Sequence, residues 1–142
     1  MKKIFILLFL GAGASVAAQT PFADCFFDKT MRFDYYHAGD SRSEEYFFDA
    51  LKEEPYWAGS KVSLVDTTGY GNQFFRIVDR VSGREIYSRG FCTLFNEWQS
   101  TPEADSVRRS YPESVVFPYP KRPCRIEIFT RNGKGRFEKR FS

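Results

Sequence analysis

The segment from Gln73 to Phe91 constrains the fold more than any other part of the chain. It reads Gln-Phe-Phe-Arg-Ile-Val-Asp, then Arg-Val-Ser-Gly-Arg, then Glu-Ile-Tyr-Ser-Arg-Gly-Phe. Phe75 and Ile77 fall on one face of the first arm and Arg76 on the other, the period of a half-buried strand. Ser82-Gly83 supplies the turn, because glycine tolerates the positive φ that hairpin turns require. The hairpin is read as the centre of a small β domain. Nothing in its own residues announces a chemistry, so function must be sought around it.

The remaining chain repeats the same pattern. Thr30 to His37 alternates, with Met31, Phe33 and Tyr35 on one face and Arg32, Asp34 and Tyr36 on the other. Glu44 to Leu51 fits either a helix, by the spacing of Tyr46, Phe47, Ala50 and Leu51, or a strand, by the local Tyr-Phe-Phe. We read a strand, because its neighbours are strands and short antiparallel connections are common. Trp57 is read as a core plug. Thr67 to Asn72 is a glycine-containing loop with no following helix, so it is not a phosphate cradle. Thr101-Pro102-Glu103 predicts one short helix near residues 102–108, with threonine as the cap and proline at the first position. Glu113 to Phe117, Arg125 to Arg131 and Arg136 to Phe141 complete the strands, the last two joined at Asn132-Gly133. About seven short strands separated by turns predict an all-β, antiparallel, immunoglobulin-like β-sandwich.

Residues 1–18 are set apart as a signal peptide. Lys2 and Lys3 precede an apolar run from Ile4, and Val16-Ala17-Ala18 places small residues before a cleavage point at Gln19. The run is short of the roughly 20 apolar residues of a membrane span, so no stable membrane insertion is expected. The mature domain is then residues 19–142, periplasmic or extracellular. Lys2 and Lys3 leave with the leader, so 21 basic residues become 19 against 18 acidic ones, a net charge of +1. That is no footprint for nucleic acid. The basic residues from Lys121 onward are read as the charged face of edge strands, with an anionic-glycan or partner patch as the alternative. Cys25, Cys92 and Cys124 allow three different pairings in an exported chain, and no spacing among them resembles a metal or redox motif.

Several strings resemble a known family. Trp57-Ala58-Gly59-Ser60, Tyr87-Ser88-Arg89-Gly90-Phe91, Phe95-Asn96-Glu97-Trp98-Gln99-Ser100-Thr101, and Glu113-Ser114 leading to Phe117-Pro118-Tyr119-Pro120 are similar to the N-terminal domain of gut-bacterial IgA-type zinc metallopeptidases, peptidase family M64. Asp28 to Arg32 with Asp34-Tyr35 fits that domain's first strand. The resemblance covers essentially the whole mature chain. It implies a secreted accessory β-sandwich placed before a catalytic domain. Family catalysis resides downstream, on a zinc helix of the H-E-x-x-H type, which needs two histidines one turn apart and a glutamate to activate water. This chain has a single histidine, His37, and no such motif. No catalytic, cofactor or metal residue is therefore assigned, and the expected partner is a downstream or separate peptidase domain.

The residues offer little independent chemistry. His37 has Asp34 and Asp40 as its nearest carboxylates in sequence and is read as structural or solvent-facing. Ser41 and Ser60 lack a nucleophile elbow, and Glu44, Glu45, Glu53 and Glu54 are adjacent pairs in polar stretches, read as a solvated face. The aromatics are more suggestive: Trp98 and Tyr119 lie in loop-like segments and are the candidate surface for a glycan or a host protein.

Overall fold

A computed structural model describes residues 21–142. The predicted leader lies outside the described residues. The elements run α1 (Phe22–Cys25), β1 (Phe26–Gly39), β2 (Glu44–Glu54), β3 (Gln73–Asp79), β4 (Glu85–Phe91), α2 (Leu94–Gln99), a 3₁₀ turn (Pro102–Asp105), β5 (Arg109–Pro120), β6 (Cys124–Arg131) and β7 (Phe137–Phe141). One sheet has the order β2-β1-β5 and the other β4-β3-β6-β7, every pair antiparallel. The all-β sandwich and its strand count are those expected.

Alternation sorts side chains into the core. Phe33 and Tyr35 of β1, Phe75 and Ile77 of β3, Val115 and Phe117 of β5, and Ile128 of β6 are buried together. The Phe75 and Phe117 rings meet across the sandwich at 6.3 Å. Full burial of each such side chain stabilises by about 1.5–3 kcal/mol relative to exposure. The β3–β4 hairpin forms at Ser82-Gly83, with Gly83 at φ 70°. Asp79 Oδ1 accepts the Val81 and Ser82 amides at 2.8 and 3.0 Å, so the turn is held by its own first carboxylate.

Strand is the state adopted by the ambiguous Glu44–Leu51 segment. β2 is an edge strand, and its register with β1 slips between Asp34 and Tyr35, leaving Asp49 as the extra residue of a bulge. The long segment between β2 and β3 folds back on β4. Trp57 is buried edge-on against Tyr87 at 5.7 Å and donates to the Ser60 carbonyl at 3.1 Å. Its ring lies where a Gly59 Cβ would be, which explains the small residue in Trp-Ala-Gly-Ser. Asp66 Oδ2 accepts the Gly90 amide at 2.7 Å, and a Cβ at Gly90 would collide with the Tyr70 carbonyl. Gly90 thus permits a close backbone approach, while the register shift of this pair lies elsewhere, between Ile77 and Val78.

The predicted helix near 102–108 is displaced. Pro102 does open a helical turn, but a 3₁₀ one that ends at Asp105. The α-helix precedes it: Thr93 is its cap and accepts the Asn96 amide at 3.2 Å. Leu94–Gln99 lays Phe95 and Trp98 inward, where they form a second small core with Ala104 and Tyr111.

Candidate functional site

The inward rows of three adjacent strands end in polar residues at one end of the sandwich. On β1, Phe33 and Tyr35 are followed in phase by His37; on β2, Tyr46 is preceded in phase by Glu44; on β5, Val115 is preceded by Glu113. Tyr46 and Tyr111 lie directly opposite His37, so Glu44 and Glu113 are its diagonal neighbours on the same face. His37 Nδ1 lies 3.1 Å from Glu113 Oε2, and Nε2 lies 3.1 Å from Glu44 Oε2. The His37 side chain is fully buried.

Both ring nitrogens face carboxylates, which accept but do not donate when ionised. A neutral imidazole has one N–H, so satisfying both contacts requires the doubly protonated ring. Burial alone pulls the His37 pKa down, but hydrogen bonds to Glu113 and Glu44, and the charges of both, reverse this and hold it above the ordinary value. Burial pushes the Glu44 carboxyl up, and His37, Thr130 and the Arg140 charge together outweigh that, leaving it below the ordinary value. The Tyr46 and Phe95 rings cover the imidazole, with centroids at 4.2 and 3.9 Å. Both nitrogens are committed and the ring is covered, so His37 is a structural ion-pair centre with no exposed edge for a substrate.

A polar network ties this centre to the other sheet and to α2. Tyr46 donates to Gln73 Oε1 at 2.9 Å, Gln73 Nε2 donates to Asn96 Oδ1 at 2.9 Å, and the Phe95 amide donates to Glu113 Oε1 at 3.2 Å. Outside Glu44 opens a cleft of about 640 Å³ lined entirely by polar and charged side chains. Arg140 Nε lies 3.0 Å from Glu44 Oε1, yet that buried oxygen receives no hydrogen bond: the two charges are close, but the N–H is not aligned.

A peptidase M64 N-terminus family model matches residues 21–142. The chain belongs to that family. No curated protein matches it. The match supports an accessory module of M64 peptidases, in agreement with the strings quoted above.

In this M64 N-terminal domain the sequence-predicted residues divide sharply. Trp98 is 8 % exposed, packed on Phe95 and Tyr111, with Nε1 donating to Glu103 Oε2 at 2.8 Å. Its expected place on a ligand surface is corrected: the segment is a helix, and Trp98 is on its inner side. Tyr119 is half-buried, its ring 6.1 Å from Phe27. Trp98 and Tyr119 form no ring contact with each other among the described residues. Glu44 leaves the predicted solvated face, since it is inward and 92 % covered, whereas Lys29 and Arg32 pair with Glu53 and Glu54 at the surface. Ser60 Oγ accepts the Val62 and Ser63 amides and shapes a turn.

Arg89 of β4 is a clamp: it donates to the Ser63 and Leu64 carbonyls and stacks on Tyr87 at 4.7 Å. The basic C-terminal residues are largely committed. Arg125 and Lys139 pair with Glu127, Arg122 pairs with Asp79, and Arg131 binds the Gly69, Gly71 and Gly135 carbonyls. Cys25, Cys92 and Cys124 are all free thiols. Among the described residues no group of His, Cys, Asp and Glu is arranged to hold a metal, and no helix is long and apolar enough to cross a membrane. The signal for the missed pair, Glu44 and Glu113, is their phase: each is a charged residue in an inward row.

Proposed function

We propose that this chain is the exported, non-catalytic accessory module of an M64 peptidase system, a sandwich that packs on a peptidase domain or presents substrate to it. The family match carries this reading. One surface supports the packing role. The edge strand β2 leaves Phe47, Phe48 and Leu51 at 52, 56 and 50 % exposure, although it also carries the charges that usually blunt an edge. Phe48 and Leu51 oppose Tyr35 and Phe33 on one face of the sheet and Phe47 opposes Tyr36 on the other, so this edge offers exposed apolar side chains on which a partner can pack. The burial of the sole histidine between two glutamates supports the non-catalytic part, because a zinc ligand needs a free ring nitrogen. Residues 1–18 carry the export address in this reading, with the product periplasmic or extracellular.

The test mixes the purified chain with a separately produced M64 peptidase domain and follows co-elution by light scattering. A stable complex that weakens in the Phe48→Ser, Leu51→Ser variant is the expected result. Zinc-dependent proteolysis by the chain alone would overturn the non-catalytic reading, and absence of any complex would overturn the packing role. The alternative, recognition of a glycan or host protein by exposed Trp98 and Tyr119, loses Trp98 to the second core.

A further inference from the structure

We infer that the polar cleft beside Glu44 is a binding site for an acidic saccharide, a small polyhydroxylated ligand bearing a carboxylate. The inference does not depend on the accessory-module reading. Ligand pockets are normally walled by apolar and aromatic side chains, which suits peptides and hydrophobic molecules. Every side chain around this cleft is instead a hydroxyl, an amide or a charge, so it offers no apolar wall to a peptide side chain.

Three observations give the cleft its ligand chemistry. Glu44 lines the cleft, and its Oε1, in a side chain more than nine-tenths covered, accepts no hydrogen bond although Arg140 Nε stands 3.0 Å away, so a ligand reaches that oxygen by displacing Arg140. Leaving such an oxygen unsatisfied is costly, and a ligand hydroxyl is the donor that would satisfy it. Arg42 lines the cleft, and its guanidinium has no hydrogen bond or ion pair among the described residues, so its fork is available to a carboxylate. The Asn72 and Asn96 side-chain amides also face the cleft, and neither Asn72 nor the Asn96 Nδ2 group is used within the described residues. Arg42, Arg131 and Arg140 against Glu44 make the lining net positive, which favours an anion over a neutral sugar. A fork for the carboxylate, an acceptor for one hydroxyl and amides for others form the complement of a hexuronic acid.

Isothermal titration of the purified chain with digalacturonic acid, galactobiose and triglutamate tests this assignment. Digalacturonic acid should bind, galactobiose at least tenfold more weakly, and triglutamate no better than galactobiose. Arg42→Ala should weaken digalacturonic acid binding by about tenfold or more, the value of a charge-assisted contact. Lys134→Ala, exposed and outside the cleft, should leave it unchanged. Arg42 supports no element of the fold, so its variant remains folded, and far-ultraviolet circular dichroism verifies that. No binding of digalacturonic acid at millimolar concentration overturns the site. Equal binding of galactobiose overturns the role of charge, and preferential binding of triglutamate overturns the saccharide class.

Discussion

Replacing His37 by phenylalanine separates the ion-pair centre from ordinary packing. Phenylalanine keeps an aromatic ring between Tyr46 and Phe95, so the principal loss is the charge between Glu44 and Glu113. Two carboxylates, each more than nine-tenths covered, then face each other without a buried counter-ion. Removing one partner of a buried pair costs about 3–5 kcal/mol. That is a large part of the roughly 5–15 kcal/mol that holds a domain together. The pH dependence identifies the cause. The His37 pKa is raised by folding, so its contribution is fully present below its unfolded value of 6.5 and is lost as pH rises through the higher folded value. The Glu44 pKa is lowered, so its contribution is present above its unfolded value of 4.5 and is lost as pH falls through the lower folded value. The pair is at full strength between these limits. Above pH 6.5 the protein should lose up to about 1.4 kcal/mol per pH unit over the titration of one proton. Urea unfolding followed by tryptophan fluorescence, from pH 4 to 9, measures both effects. The variant should lack the alkaline limb and should gain stability on acidification, because a carboxylate deprived of its counter-charge takes up a proton. A cost below about 1 kcal/mol at pH 6, within the range of an ordinary surface substitution, would refute the reasoning. So would equal slopes for the two proteins between pH 6.5 and 8.5.

Three other perturbations address separate parts of the structure. Trp98→Ala should cost about 3–5 kcal/mol in urea unfolding, as for a large buried aromatic, whereas a surface tryptophan would cost almost nothing. Gly90→Ala should destabilise by about 1–3 kcal/mol and expose the Gly90 amide to hydrogen exchange, because the added methyl displaces the Tyr70 carbonyl and the Asp66 bond. Burial pushes the Glu127 carboxyl up, but hydrogen bonds from Arg76, Arg125 and Lys139 bring it down to about 2. Its contribution is therefore present above pH 4.5 and lost as pH falls towards 2, and Glu127→Gln should flatten that acid limb and cost about 2 kcal/mol at neutral pH.

Local alternation was enough to read the sandwich. A strand exposes its two faces by parity alone, so Phe33, Tyr35, Phe75, Ile77 and Ile128 declare their burial without knowledge of their partners. The hairpin turn was legible for a similar reason, since it depends on a few consecutive residues and the φ that Gly83 supplies, whereas the close approach at Gly90 depends on Asp66 and Tyr70 in the loop before β3. The family was legible because several of its strings record local constraints, among them the Gly59 that makes room for Trp57. What parity cannot say is which element covers a given face. Trp98 looked like a loop residue because the Thr93 cap was missed in favour of Thr101-Pro102, and its burial depends on the 3₁₀ turn and β5 coming to rest against the helix. His37 looked isolated because its nearest carboxylates in sequence are not its partners. Glu113 lies 76 residues away and reaches it only through the register of β5 on β1. The cleft beside Glu44 likewise needs residues from β2, α2, β6 and β7 and the loops between strands. Parity along one strand determines which side a residue faces; only the stacking of two sheets and a helix decides whether that side meets water, a ring or an opposite charge.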